Sequence, residues 1–161
     1  FGAAPLWDAT EAAIQALSGE TGRRAIVLVT DGRATGNFYG VDEVRQHAAA
    51  LGISVNVIAG IVDGLLPGMN NATMMLRQLA TISGGLSVAF NEGGSERAVP
   101  FPAVATHVMA DLRASYRLGF VPDREDGAPH AVEVRVTIPG FTVRTREQYV
   151  AGRAPVNKKN R

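Results

Sequence analysis

The sequence contains no cysteine, which excludes disulfide bonds, thiolate metal sites and cysteine nucleophiles. It has no run of 18 uncharged apolar residues and no signal-peptide pattern, so we expect no membrane span in this chain. A strong net charge is also missing, because 16 Lys and Arg oppose 15 Asp and Glu. Several of the cations lie in residues 151–161, which leaves the rest mildly acidic and argues against a nucleic-acid partner. The chain begins at Phe1 within a loop-to-helix transition, and we interpret it as a fragment or processed piece.

What the sequence does contain is enough apolar residues for a core, 46% of a chain of 161 residues. Helical and strand patterns alternate from the start of the chain. The predicted helices are 6–18, 41–51, 72–83 and one from about residue 102, and the predicted strands are 25–30, 53–58 and 86–90. This alternation predicts a parallel sheet with helices on both faces. Strand 25–30 is apolar at consecutive positions, which predicts an interior strand buried on both faces.

After residue 115 the apolar residues recur at every second position instead. This pattern covers residues 116–121, 132–138 and 141–146, and it predicts antiparallel strands with one face in water. The predicted fold is therefore α/β: a three-layer, Rossmann-like parallel sheet flanked by helices, incomplete at the N-terminus, with a C-terminal antiparallel β extension. We divide the chain into an α/β part (1–115), the extension (116–150) and a basic, flexible tail (151–161).

Common catalytic and nucleotide-binding motifs are absent from the sequence. There is no G-x-G-x-x-G after a strand, no P-loop and no G-x-S-x-G elbow. The histidines His47, His107 and His130 are far apart and match no metal or triad spacing, so we interpret them as surface or interface residues. The sequence therefore predicts no catalytic and no cofactor-binding residue.

Asp31 is the residue with the clearest chemical potential. It directly follows strand 25–30, and ligands of open α/β sheets bind outside the carboxyl ends of the strands. A carboxylate there is suited to Mg²⁺ or to accepting a phosphoryl group. The alternative is a turn aspartate that accepts hydrogen bonds from nearby backbone N–H groups. Asp63 is a second carboxylate expected at the same edge, beyond the next strand.

Three stretches together resemble one protein family: GAAPLWDA at residues 2–9, TDG at 30–32 and YRLGF at 116–120 with the strands that follow. They are similar to von Willebrand factor type A domains, and in particular to the acidobacterial-type related variant, in which the A domain continues into a β extension. The resemblance covers nearly all of residues 1–150. It implies a non-enzymatic protein- or ligand-binding module.

The resemblance also implies a metal-ion-dependent adhesion site at the carboxyl edge of the sheet, for Mg²⁺ or for Mn²⁺ or Ca²⁺. Asp31 matches one of the family's metal ligands. The family's Asp-x-Ser-x-Ser strand would lie upstream of Phe1, and its threonine ligand falls on Ala4. Binding in this chain is therefore expected to be weak or absent, unless Thr30 or Thr35 replaces the lost hydroxyl.

The partners implied by the resemblance are an upstream segment of the same polypeptide and a separate protein. The upstream segment would complete the sheet beside strand 25–30, and the protein would be recognised through loops 33–40 and 63–71. Family membership also implies an exported protein, in the periplasm, secreted or on the surface of a bacterium. Without the upstream strand an apolar edge is exposed, so we expect these residues alone to fold poorly or to associate.

Two other functions remain open from the sequence. The first is an α/β enzyme in which Asp31 is the Mg²⁺ ligand or phosphoryl acceptor and Asp63 assists, with Arg33 as the candidate basic group. The second is an assembly module, in which the extension pairs with other chains by strand addition and the α/β part is a spacer.

Overall fold

The computed structural model describes residues 2–60, 71–91 and 99–152. Its elements are α1 (Leu6–Leu17), β1 (Ala25–Thr30), α2 (Val41–Leu51), β2 (Ser54–Gly60), α3 (Asn71–Ser83), β3 (Ser87–Phe90), α4 (Phe101–Ala114), β4 (Pro129–Ala131) and β5 (Gln148–Val150). The predicted alternation of helices and strands is thus confirmed as far as α4. The predicted loop 63–71, except for its last residue, and most of the predicted tail lie outside the described residues. In the described part of the chain, no helix is long and apolar enough to cross a membrane.

The central sheet has three parallel strands in the order β1-β2-β3. Ala25 of β1 lies opposite Ser54 of β2, and Val57 of β2 lies opposite Ser87 of β3. Each crossover contains a helix, as parallel neighbours require. The predicted α/β fold is therefore confirmed, and the carboxyl ends of all three strands lie at one edge of the sheet.

Two apolar cores cover the two faces of this sheet. Helices α1, α2 and α3 pack on one face, where the buried residues are Trp7, Ile14, Ile26, Val44, Ala48, Ile53, Val55, Val57, Leu76, Leu79 and Ala80. Helix α4 packs on the other face, through Val104 and Val108 against Ile58 of β2. The alternation of side chains along β2 sends Val57 to one core and Ile58 to the other, so β2 is buried on both faces.

Strand β1 is not buried on both faces, so that prediction is wrong. Ile26 is buried, but Val27 and Val29 are 40% and 54% exposed. The reason is that α4 packs on β2 and β3 and leaves this face of β1 uncovered. Within the described residues β1 pairs with β2 alone, which makes it an edge strand.

The outer edge of β1 carries backbone groups that have no strand beside them in residues 2–60, 71–91 and 99–152. The N–H of Ser54 donates to the C=O of Arg24, which fixes the direction of the alternating ladder. It follows that the N–H and C=O groups of Ala25, Val27 and Val29 point away from β2. The strand has no charge, proline or bulge, the features that usually prevent edge-to-edge pairing.

Val29→Lys is expected to reduce self-association of the chain, because a charge beside the free edge opposes addition of another strand. Folding should change little, since Val29 is half exposed. Sedimentation velocity over a range of concentrations measures the association. Val136→Lys is the matched control, a valine of similar exposure in the extension. If only the control variant reduces association, the β1 edge is not the contact.

The extension contains a small antiparallel sheet in which His130 of β4 lies opposite Tyr149 of β5. Its antiparallel character is confirmed, but the strands predicted over 116–121, 132–138 and 141–146 are wrong. Period-two alternation specifies one apolar face, whereas a strand also needs a hydrogen-bonded partner. Among the described residues these stretches form no ladder beyond the bond from the N–H of Val132 to the C=O of Glu147. Their apolar side chains are exposed: Tyr116, Leu118, Phe120, Val121, Val136, Ile138, Phe141 and Val143.

The extension packs closely against the ends of α2 and α3. A Cβ at Gly84, where φ is +78°, would lie 2.7 Å from the backbone nitrogen of Arg146. A Cβ at Gly52, the left-handed residue that ends α2, would lie 3.1 Å from the Arg146 guanidinium. Arg146 thus places a positive charge at the carboxyl end of α2, where it interacts favourably with the helix dipole.

The turn before β4 is held by Asp126, and we expect it to loosen in acid. Its Oδ1 accepts a hydrogen bond from the N–H of Ala128 at 3.0 Å and lies 2.8 Å from Nε2 of His130. These contacts, the backbone one first, hold the pKa of the Asp126 carboxyl below its usual value. A lowered pKa means that the carboxylate stabilises the folded state above about pH 4 and loses this effect as the pH falls further.

The amide chemical shift of Ala128, followed by NMR from pH 6 downwards, measures this change. Asp126→Asn should remove the acidic step. A step that persists in Asp126→Asn would assign it to another group.

Candidate functional site

The segment between β1 and α2, residues 31–40, lies at the carboxyl edge of the sheet and is called the rim loop here. It begins with a sharp turn at Gly32, where φ is +83°, a value that glycine adopts readily. The loop is hydrogen-bonded to the start of α1 as well as continuing into α2. Asp31 therefore lies where the sequence predicted it, at the edge where α/β proteins bind ligands.

The Asp31 carboxylate is half exposed and has local partners. Its Oδ1 accepts a hydrogen bond from the N–H of Arg33 at 3.0 Å, and its Oδ2 lies 3.4 Å from Nε of the same arginine. The first contact is that of the turn aspartate weighed in the sequence analysis. The second is an exposed ion pair, which contributes little to stability. A cation bound by Asp31 would have to compete with Arg33 for the carboxylate.

Ala4 stands where the family has its threonine ligand, and the hydroxyl of another threonine lies beside it. The N–H of Ala4 donates to Oγ1 of Thr35 at 3.0 Å, and the N–H of Thr35 donates to the C=O of Ala4 at 2.9 Å. The hydroxyl of Thr30, the other candidate, accepts a hydrogen bond from the N–H of Gly32. Of the two threonines, Thr35 is therefore the one whose hydroxyl contacts Ala4.

The rim loop supplies few side chains that could coordinate a metal ion. In residues 2–60, 71–91 and 99–152 there is no cluster of three His, Asp or Glu side chains that could hold a metal. The Asp31 carboxylate and the Thr35 hydroxyl are the side-chain oxygens of this loop that the family resemblance points to, and the Asn37 amide oxygen already accepts the N–H of Trp7. Mg²⁺ requires nearly octahedral oxygen coordination, so these groups with water would hold it weakly. Asp63 lies outside the described residues.

The backbone of the rim loop is fixed from α1. The Asp8 carboxylate accepts hydrogen bonds from the N–H groups of Phe38 and Tyr39, each at 2.8 Å. The side chain of Asn37 accepts another from the N–H of Trp7 at 2.8 Å. Asp8 does not stand out in the sequence, because an acidic residue in the first turn of a helix is common for its effect on the helix dipole alone.

A buried carboxylate on α1 was also missed. Glu11 is 2% exposed, and its Oε1 lies 2.9 Å from Nδ1 of His47 on α2. The same oxygen accepts a hydrogen bond from the Gln15 amide, while Oε2 has no hydrogen-bond partner in the structure. The sequence does contain a sign of this burial, because Glu11 lies one helical turn from each of the buried residues Trp7 and Ile14 and so shares their face of α1.

The histidines are not brought together. His47 lies between α1 and α2, and His130 contacts Asp126 in the extension. His107 lines a shallow, mostly apolar cavity of about 290 Å³ between β3 and α4. None of these positions adds a ligand to the rim loop.

No protein-family model matches the sequence, and a search of curated proteins finds no match.

Proposed function

We propose that this chain is a non-enzymatic, protein-binding module of the von Willebrand factor A type, of the acidobacterial-type variant, in an exported bacterial protein. The observation that carries the proposal is the position of the rim loop. Asp31 stands half exposed at the carboxyl edge of a parallel sheet, and the loop that follows it is hydrogen-bonded to the start of α1. This is where an A-type domain would hold its cation and its partner.

The edge of β1 supports the same proposal. The resemblance expects a further strand beside β1, and the outer edge of β1 has outward-facing backbone groups and two exposed valines on one face. We propose that an upstream segment of the same polypeptide pairs there. Such a strand would cover the apolar edge that otherwise favours association.

The cation site is proposed to be weak and to consist of Asp31 with Thr35. A titration of the full chain with Mn²⁺, followed by paramagnetic broadening of NMR amide signals, tests it. We expect broadening centred on residues 31–35 at about millimolar Mn²⁺, with Mg²⁺ and Ca²⁺ competing. Asp31→Ala should abolish it, whereas Asp123→Ala, an exposed aspartate in the extension, should leave it unchanged.

Arg33→Gln should strengthen the binding, because it removes the cation that now pairs with Asp31. Broadening that is not centred on the rim loop, or that survives Asp31→Ala, would contradict the proposed site.

A second function, assembly through the extension, is favoured by the exposed apolar residues listed above. Tyr116 is 90% exposed and Phe141 is 70% exposed, although both belong to alternating patterns typical of a buried face. The double variant Tyr116→Ser with Phe141→Ser should then reduce oligomer size and leave the response to Mn²⁺ unchanged. A change in the Mn²⁺ response alone would argue against this function.

A further inference from the structure

Phe38 is an exposed aromatic residue whose ring is nevertheless held in place. The residue is 85% exposed at the outer side of the rim loop. Its neighbour Tyr39 faces the opposite way and packs against the core under α1 and α2. The two rings meet edge to face, with centroids 5.2 Å apart and planes at 83°. Tyr39 thus supports the Phe38 ring from the inside, and the outer face of that ring stays in water.

The backbone beneath the ring is fixed on both sides. Both oxygens of Asp8 accept the N–H of Phe38, at 2.8 and 3.0 Å, and one of them also accepts the N–H of Tyr39. On the other side, the N–H of Gly40 donates to Oε2 of Glu43 in the first turn of α2. Helices α1 and α2 therefore both restrain the rim loop. Because of this, the loop loses little conformational entropy when a partner binds over Phe38.

A single exposed apolar residue is ordinary on a protein surface. Phe141 shows the difference: it is 70% exposed, and among the described residues it has no ring contact or side-chain-bound backbone of this kind. Aromatic residues and arginine are enriched at the centres of protein interfaces. The rim loop presents both, because Arg33 is 64% exposed in the same loop even though its Nε lies 3.4 Å from Oδ2 of Asp31.

We infer that Phe38 is a preformed anchor that inserts into an apolar pocket of a partner protein, at a place where a partner carboxylate pairs with Arg33. This inference rests on the proposed protein-binding function and makes it specific. The pinned backbone and the stacked ring reduce the entropy lost on binding, and the guanidinium of Arg33 selects an acidic rim around the pocket.

A displayed library of folded, disulfide-bonded peptides with randomised surfaces, which can form an apolar pocket, tests the inference when it is panned in parallel on the full chain and on its Phe38→Ala variant. We expect peptides enriched on the full chain alone, with apolar residues next to an acidic one. Their affinity should fall about tenfold or more in Phe38→Ala. Equal enrichment on both proteins, or no enrichment on either, would overturn the inference.

Two further variants test whether binding depends on the fixed position of the Phe38 ring or only on an exposed aromatic side chain. Asp8→Asn keeps Phe38 but removes the charged acceptor, so the same peptides should bind several-fold more weakly, with a matching increase in amide exchange at residues 38 and 39. Phe141→Ala should change affinity less than twofold. An equal loss in Phe141→Ala and Phe38→Ala would show non-specific apolar binding and overturn the inference. Circular dichroism of each variant confirms that it is folded.

Repeating the measurements with EDTA and with Asp31→Ala separates this inference from the proposed cation site. If Phe38-dependent binding persists in both conditions, Phe38 is an anchor and the cation takes no part in recognition. If the chain binds Mn²⁺ but no peptide depends on Phe38, the proposed cation site stands and the anchor is overturned.

Discussion

Gly85→Ala is expected to destabilise the fold by about 3 kcal/mol or more, a large share of the stability of a domain this size. Gly85 follows the end of α3 and crosses directly over β2. A methyl group there would overlap the carbonyl oxygen of Val55, and it would lie 2.6 Å from the carbonyl carbon of Val55 and 3.1 Å from the nitrogen of Asn56. These are backbone atoms of the central strand, so no side-chain rotation can relieve the overlap.

Chemical denaturation of the full chain measures this effect as a lower midpoint. Gly19→Ala is the matched control, because a Cβ at Gly19 would meet no atom within 4 Å and its backbone is not in the left-handed region. It should stay within about 0.5 kcal/mol of the parent. A Gly85→Ala protein as stable as the Gly19→Ala protein would show that α3 and β2 are not packed as described.

Asn56→Ala should give the second largest loss, about 2–4 kcal/mol. Asn56 is 1% exposed in the middle of β2. Its amide nitrogen donates to the C=O of Ile26 at 3.3 Å, and its amide oxygen accepts the N–H of Leu86 at 2.9 Å. One side chain thus joins β1 to the start of β3. Alanine would remove these partners from the buried C=O of Ile26 and the partly buried N–H of Leu86, and it would also leave a cavity.

Hydrogen exchange separates this mechanism from a general loss of packing. The Leu86 amide should exchange faster in Asn56→Ala, beyond what the fall in global stability explains. Val57→Ala is the control, since it shortens a fully buried neighbour on the same strand without removing a hydrogen bond. If the Leu86 amide exchanges equally in both variants, the Asn56 contact is not what protects it.

The candidate site was only partly predictable from the sequence. Asp31 could be placed, because a carboxylate directly after a parallel strand lies at the carboxyl edge whatever the rest of the chain does. Thr35 could be named as a candidate but not chosen over Thr30, because the choice depends on which hydroxyl meets Ala4 across the loop. Phe38 lay in a loop named for recognition, but its exposure and its stacking on Tyr39 required coordinates.

The β extension shows a different limit of sequence interpretation. Its alternating residues specify one apolar face, and this property is local to each segment. Whether such a segment becomes a strand depends on a partner for its N–H and C=O groups. In the described part of the extension only β4 and β5, with the adjoining bond from Val132 to Glu147, have such a partner. Most of the predicted extension therefore has the alternating pattern of a strand but no hydrogen-bonded ladder.

By itself, the amino-acid sequence determined the order of helices and strands as far as α4, the parallel sheet and the place of Asp31. The physical reason is that hydrophobic period and crossover rules act within a segment or between consecutive segments. The tertiary structure alone decided that one face of β1 is uncovered, that Asp8 holds the rim loop and that Glu11 is buried against His47. Each of these depends on contacts between residues about 30 or more positions apart, which no local pattern encodes.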